Sequence, residues 1–173
     1  LDAMGIKYLE LEPYEADDII GTLAKMADLD QEYDATIISS DKDLLQLISD
    51  GTDVKLLKQT GFIKYNPKIF YDDYGIEPIK MIDLKALAGD ASDNIPGVKG
   101  IGEKTALKLL QEYGSLEGIY ENIDAIKGKT KEKLEADRDN AFMSKEIATI
   151  YCDVPLNISF QDIKYQGINE QSL

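Results

Sequence analysis

Carboxylates gathered in three short runs are the groups in this sequence best suited to chemistry. They are Tyr14-Glu15-Ala16-Asp17-Asp18, Ser39-Ser40-Asp41-Lys42-Asp43 and Gly89-Asp90-Ala91-Ser92-Asp93-Asn94, and the last runs directly into Ile95-Pro96-Gly97-Val98-Lys99-Gly100-Ile101-Gly102-Glu103-Lys104-Thr105. Carboxylate oxygens are hard ligands suited to magnesium or manganese. Two like charges ~4 Å apart at an effective dielectric near 20 repel by roughly 4 kcal/mol, so several converging carboxylates call for a cation. A glycine-rich turn beside them adds backbone N–H groups that can grip a phosphate. Divalent metal next to a phosphate backbone is the chemistry this pairing suggests.

The rest of the composition narrows the alternatives. There is no histidine and a single cysteine, Cys152, which excludes a histidine-based triad, a histidine- or thiolate-rich zinc site and an internal disulfide. No apolar secretion segment or bilayer-length run is present, so the chain reads as soluble, cytoplasmic and without a membrane partner.

The net charge of -14 argues against a nucleic-acid partner, because phosphate binding is driven by basic groups that release counterions. Seven of the 33 acidic residues lie in the three clusters, however, where bound metal would neutralise them locally. Lys99, Lys104 and Lys108 sit in or just after the glycine run. Lys127, Lys129, Lys131, Lys133 and Arg138 crowd a later stretch that reads equally well as a solvated face, with Glu132 and Glu135 interspersed.

The elements that must position these groups follow from periodicity. Leu1–Gly5 reads as a helix end and Ile6–Leu11 as a strand broken by Pro13, after which Glu15 to about Ala27 repeats apolar residues at helical spacing. Ala35–Ser40 reads as a strand feeding a helix over Leu44–Ile48. The first two clusters are thus expected where a strand meets a helix, at the sheet edge where ligands bind in α/β folds. Asp53–Lys58 and Phe62–Tyr65 read as a hairpin, and Pro67–Tyr74 and Pro78–Leu87 as helices closed by Gly75 and Gly89. Beyond them the chain reads as helical up to a strand at Leu156–Phe160. The fold class expected is α/β: a partial parallel sheet with flanking helices, then a mostly helical part containing a helix-hairpin-helix. Residues 1–88 would form the α/β part, and 89–173 the hairpin region and closing helices.

Each feature also has a plain structural explanation. Aspartate and glutamate favour the first turn of a helix, so Asp41 reads equally as an N-cap and Glu15, Asp17 and Asp18 as first-turn acids. The third cluster resists this, since Asp90 and Asp93 lie among turn residues with no apolar helix face beside them. The glycine run is neither a P-loop, because Glu103 stands where lysine must follow the last glycine, nor a G-x-G-x-x-G fingerprint. It fits a tight hairpin between two helices, either a phosphate grip or a plain connection that needs positive φ.

Taken together, these three motifs closely resemble the 5′-nuclease domain of the flap endonuclease family, of the kind that bacterial type I DNA polymerases carry. The resemblance runs along the whole chain in order and spacing. It implies a magnesium- or manganese-dependent nuclease that removes RNA primers and 5′ flaps from duplex DNA in replication and repair, with two metal sites in the intact parent. By motif position it makes Glu15 and Asp17, with Asp18 adjoining, ligands of one metal. Asp41, Asp43 and Asp93 then serve the second, and Asp90 and Asp18 act through water. It further implies a DNA-binding hairpin at Gly97, Lys99, Gly100, Gly102, Lys104 and Thr105, with potassium on its backbone carbonyls. A monomer joined to a polymerase domain is the expected context. Family members carry further aspartates and a basic arch in an amino-terminal part absent here, so the chain is expected to be a fragment with an incomplete first metal site. A non-catalytic duplex-binding module is therefore the alternative.

Overall fold

The computed structural model describes residues 1–172. Three strands, β1 (Ala35–Ser39), β2 (Thr52–Lys58) and β3 (Gly61–Tyr65), form a mixed sheet in that order. β1 pairs parallel with β2, placing Ile37 opposite Val54, and β2 turns back into antiparallel β3. Alternation along β2 sends Thr52, Val54 and Leu56 into the core, as a strand packed on one face requires. β1 is an edge strand that buries only Ile37 and leaves Ile38 exposed.

The described residues also form seven α-helices, of which α1 and α2 pack on the sheet. α1 (Ala16–Asp30) precedes β1 and buries Ile19, Ala24 and Ala27. α2 (Pro67–Tyr74) starts where the Asn66 side chain accepts the Ile69 N–H and ends at Gly75 in the left-handed region, as its proline and glycine suggested. α3 (Met81–Ala88) is the most enclosed, with Met81 through Leu87 all buried. The remaining chain forms α4 (Glu103–Tyr113), α5 (Leu116–Glu121), α6 (Gly128–Ala136) and α7 (Arg138–Ala148), with α4 and α7 packed on α3. One buried cluster runs from Val54 and Leu56 through Phe70, Leu84 and Leu87 to Leu110, Ile119 and Leu134. Each such side chain contributes roughly 1.5–3 kcal/mol on burial, so α3 is fixed from both sides.

The architecture is the expected mixed α/β with a mostly helical second half, with local corrections. Ile6–Leu11 is not a strand: Ile6 and Tyr8 are exposed, and no backbone ladder is available to it among the described residues. Alternation alone cannot make a strand, because its N–H and C=O groups need partners. The first acidic cluster therefore sits at a loop-to-helix junction. Leu156–Phe160 is also not a strand; its alternation reflects side chains leaning on the surface, with Phe160 packed 4.6 Å from the Tyr33 ring. The helix expected over Leu44–Ile48 is a 3-10 helix over Lys42–Leu47, with Ile48 already extended as its C-cap. The connection from α3 to α4 is longer than a tight turn, spanning residues 89–102, with a bridge between Asp90 and Ile95 ahead of the glycine hairpin at 97–102.

Candidate metal centre and phosphate grip

Three chain segments deliver carboxylates to one cavity of about 280 Å³: the start of α1 brings Glu15, Asp17 and Asp18, the turn after β1 brings Asp41 and Asp43, and the loop after α3 brings Asp93. The opposite wall is Ile95 with Ile147–Ile150 at the end of α7. That wall is tied down where the Gln46 side chain bonds Ala148 O and Ile150 N. A larger groove of about 420 Å³ on the β1 and α1 face is mainly apolar, lined by Ile20, Leu23, Ile38 and Phe160, and lies away from these acids.

The capping explanation is also realised. Glu15 and Asp18 form a capping box at α1, Asp18 Oδ1 accepts the Tyr151 N–H at 3.1 Å, and Asp41 Oδ1 accepts the Asp43 N–H at 2.8 Å. Asp90 accepts from Ser92 N–H at 2.8 Å. Capping and convergence coexist, because an ionised carboxylate offers about four lone-pair sites.

The densest part of the site is organised by a residue that the motifs did not reveal. Lys85, on α3, pairs with Asp43, with Asp90 at 2.9 Å and with Asp93 at 3.0 Å. Oxygens of those three carboxylates lie within 4.8 Å of one another. Asp41, expected beside Asp43 and Asp93, lies outside that tightest group, whereas Asp90 is inside it. Burial works against the Lys85 ammonium, but its hydrogen bonds to Asp43, Asp90 and Asp93 outweigh burial and hold its pKa above the ordinary value. Burial pushes the Asp43 carboxyl up to about 6 despite the pull of Lys85. Hydrogen bonds from Ser92 and then Lys85 hold Asp90 well below the usual carboxylate range. Asp17 is raised, first by burial and then by the like charges of Asp41, Glu15, Asp18 and Asp93.

These observations test the fit of a divalent cation. The donors are all carboxylate oxygen, and a cationic group already stands at the centre of three of them, so the residues present fit a hard metal ion. Lys85 left one faint mark in the sequence, a lysine in the run Met81-Ile82-Asp83-Leu84-Lys85-Ala86-Leu87-Ala88, where Asp83 is the one other charged residue. The same helix buries Asp83, paired with Lys145 at 2.8 Å and Lys80 at 3.5 Å.

The glycine run stands at the other end of the 89–102 loop. Gly97 has φ 62°, and a Cβ there would lie 2.3 Å from Gly89 N, so this glycine lets the loop press against the end of α3. Val98 N–H bonds Leu87 O and Ile101 N–H bonds Val98 O. Gly100 also has positive φ, but Gly102 has φ -92° and faces open space. Gly102 is the N-cap of α4 without a side-chain cap. The N–H groups of the first helical turn, Glu103, Lys104 and Thr105, are thus left for an outside acceptor. Lys99 and Lys104 are exposed beside them.

The family model described as 5′-3′ exonuclease, C-terminal SAM fold, matches residues 76–171, and that described as 5′-3′ exonuclease, N-terminal resolvase-like domain, matches 1–75. DNA polymerase I of Streptococcus pneumoniae strain R6 is 51% identical over 100% of the chain and 20% of its own length, and that of Bacillus subtilis 49% identical over the same shares. The chain therefore spans about a fifth of the length of these curated relatives. Among solved structures, T5 5′-exonuclease with bound divalent metal ions (zinc) matches with a TM-score of 0.69 and 28% identity, covering 83% of the chain and 52% of that protein. The catalytic core of Rad2 in complex with DNA substrate shares the fold, with a TM-score of 0.64 at 20% identity over 99% of the chain and 58% of that protein.

Proposed function

The chain belongs to the 5′-3′ exonuclease family, and on that premise we propose that it is part of a metal-dependent, structure-specific 5′-nuclease that hydrolyses phosphodiesters in DNA flaps and RNA primers. The observation that carries this reading is the arrival of six carboxylates from three separate segments in one cavity, with Asp90 adjoining through Lys85. Helix capping accounts for single acids but not for their meeting.

Glu15, Asp17 and Asp18 would hold one magnesium or manganese ion and Asp41, Asp43, Asp90 and Asp93 a second. Such ions supply a bound water of lowered pKa and neutralise charge on the transferring phosphate. The chain's own groups bind and orient the substrate. The free N–H groups at Gly102–Thr105 and the Lys99 and Lys104 ammonium groups meet the duplex backbone without reading sequence. Gly102 supports this role, since neither its φ nor its neighbours require glycine, whereas close approach of a phosphate does. We assign residues 1–88 to the nuclease core and 89–173 to the hairpin region. Following the polymerase relatives, we place the protein as a cytoplasmic monomer joined to a polymerase portion. No helix among the described residues is long and apolar enough to cross a membrane.

A second reading, a duplex-binding module that does not cut, is favoured by Lys85, whose ammonium fills the centre of Asp43, Asp90 and Asp93. Cleavage of a 5′-flap duplex with magnesium, run beside salt-dependent binding of the same DNA, separates the two. Cleavage lost with EDTA supports the nuclease; binding without cleavage supports the module, and neither activity removes both.

A further inference from the structure

The hairpin is not held in shape by itself. Three side chains of the α6–α7 arm bond its backbone: Ser144 Oγ accepts the buried Gly97 N–H at 2.9 Å, Asp137 Oδ2 accepts the Lys99 N–H at 2.8 Å, and Lys133 Nζ donates to Gly100 O at 2.9 Å. The fit at Gly100 is close, since a Cβ there would meet Lys133 Cε and Nζ at 3.0 Å. The arm is itself anchored. Leu134 is fully buried, its carbonyl accepts the Tyr120 hydroxyl at 2.8 Å, and Asn140 donates to the other oxygen of Asp137 at 3.3 Å. Lys133 stands in the lysine-rich stretch that could be read as a solvated face, yet its ammonium is directed at a backbone carbonyl.

This pattern divides the hairpin's amides. Those of Gly97, Val98, Lys99 and Ile101 are consumed inside the molecule, and the first turn of α4 is left for a phosphate. We propose that Lys133 and Asp137, seated on the Ser144 contact, are positioning residues for phosphate binding. They fix Lys99–Gly102 so that the free amides point outward, and they do not themselves touch the nucleic acid. This inference rests on the DNA-binding part of the reading above.

The test uses the 173-residue chain, a fluorescent duplex with a 5′ single-stranded arm, and the variants Lys133→Met, Lys133→Arg, Asp137→Ala and Asp137→Asn. Lys133 is exposed, so the unfolding midpoint should hold. Lys133→Met and Asp137→Ala should each weaken binding about tenfold, the scale of one charge-assisted hydrogen bond, with the salt slope unchanged. Lys133→Arg and Asp137→Asn should restore most of the loss. Amide exchange at Lys99 and Ile101, the bonded amides of this turn, should quicken in the two disruptive variants while Leu109 and Leu110 stay protected. Unchanged exchange overturns the proposal, as does a salt slope reduced by about one counterion in Lys133→Met, which would mark a direct phosphate contact. If the unmodified chain binds no duplex, the DNA-binding reading fails on its own, and the exchange rates still decide whether the arm holds the hairpin.

Discussion

Lys85 brings a positive charge into a place made of carboxylates, with only 11% of its side chain exposed. Removing one partner from a buried ion pair typically costs about 3–5 kcal/mol, because the remaining charge has no compensation. Lys85→Met is therefore expected to lower metal-free stability by about that much. Millimolar manganese should recover most of the loss, read by thermal unfolding with and without metal. Asp43 gives the site a pH dependence. Its pKa is raised to about 6 by burial, above its value in an unfolded chain, so the folded form holds a proton that the unfolded form releases near pH 4. Its contribution to metal-free stability is thus full below about pH 4 and declines as pH rises through 6. Metal competes with the same proton. Manganese affinity should fall about tenfold per unit below pH 6 and level off above it, as titration calorimetry at several pH values would show. The acids were legible from their clustering and spacing; Lys85 was not, because its position depends on how α3 packs, which no local pattern encodes.

At the scale of elements, α1, β1, the β2–β3 hairpin, α2 and α3 announce themselves by periodicity and by proline and glycine punctuation. Residues 6–11 and 156–160 carry the same alternation as a strand, but a strand is completed by a partner, and neither segment has one among the described residues. The glycine run was legible as a turn, while the division of labour among its glycines required the structure. Gly97→Ala meets both a positive φ and a backbone clash, and should destabilise the fold by more than about 1 kcal/mol. Gly102→Ala meets neither. It should lower stability only by the roughly 1 kcal/mol or less that alanine loses to glycine at an N-cap, while weakening duplex binding, and an unaltered affinity would remove Gly102 from the phosphate grip.

For the molecule as a whole, geometry reconciles the net charge of -14 with the polyanionic partner proposed above. Seven acids are concentrated around one cavity and its Lys85 neighbour, while Lys99, Lys104 and Lys108 stand exposed at the hairpin and along α4. Both sites are set by α3, which presents Lys85 to the carboxylates and ends where Gly89 receives Gly97. The central claim is that the converging carboxylates are a divalent-metal centre. The most direct measurement is the anomalous difference map of crystals of this chain grown with manganese. A peak about 2 Å from oxygens of Asp43 and its neighbours Asp90 or Asp93, with the Lys85 ammonium moved aside, is the expected result. A map with no peak at saturating manganese, and Lys85 still bonded to all three carboxylates, would contradict it.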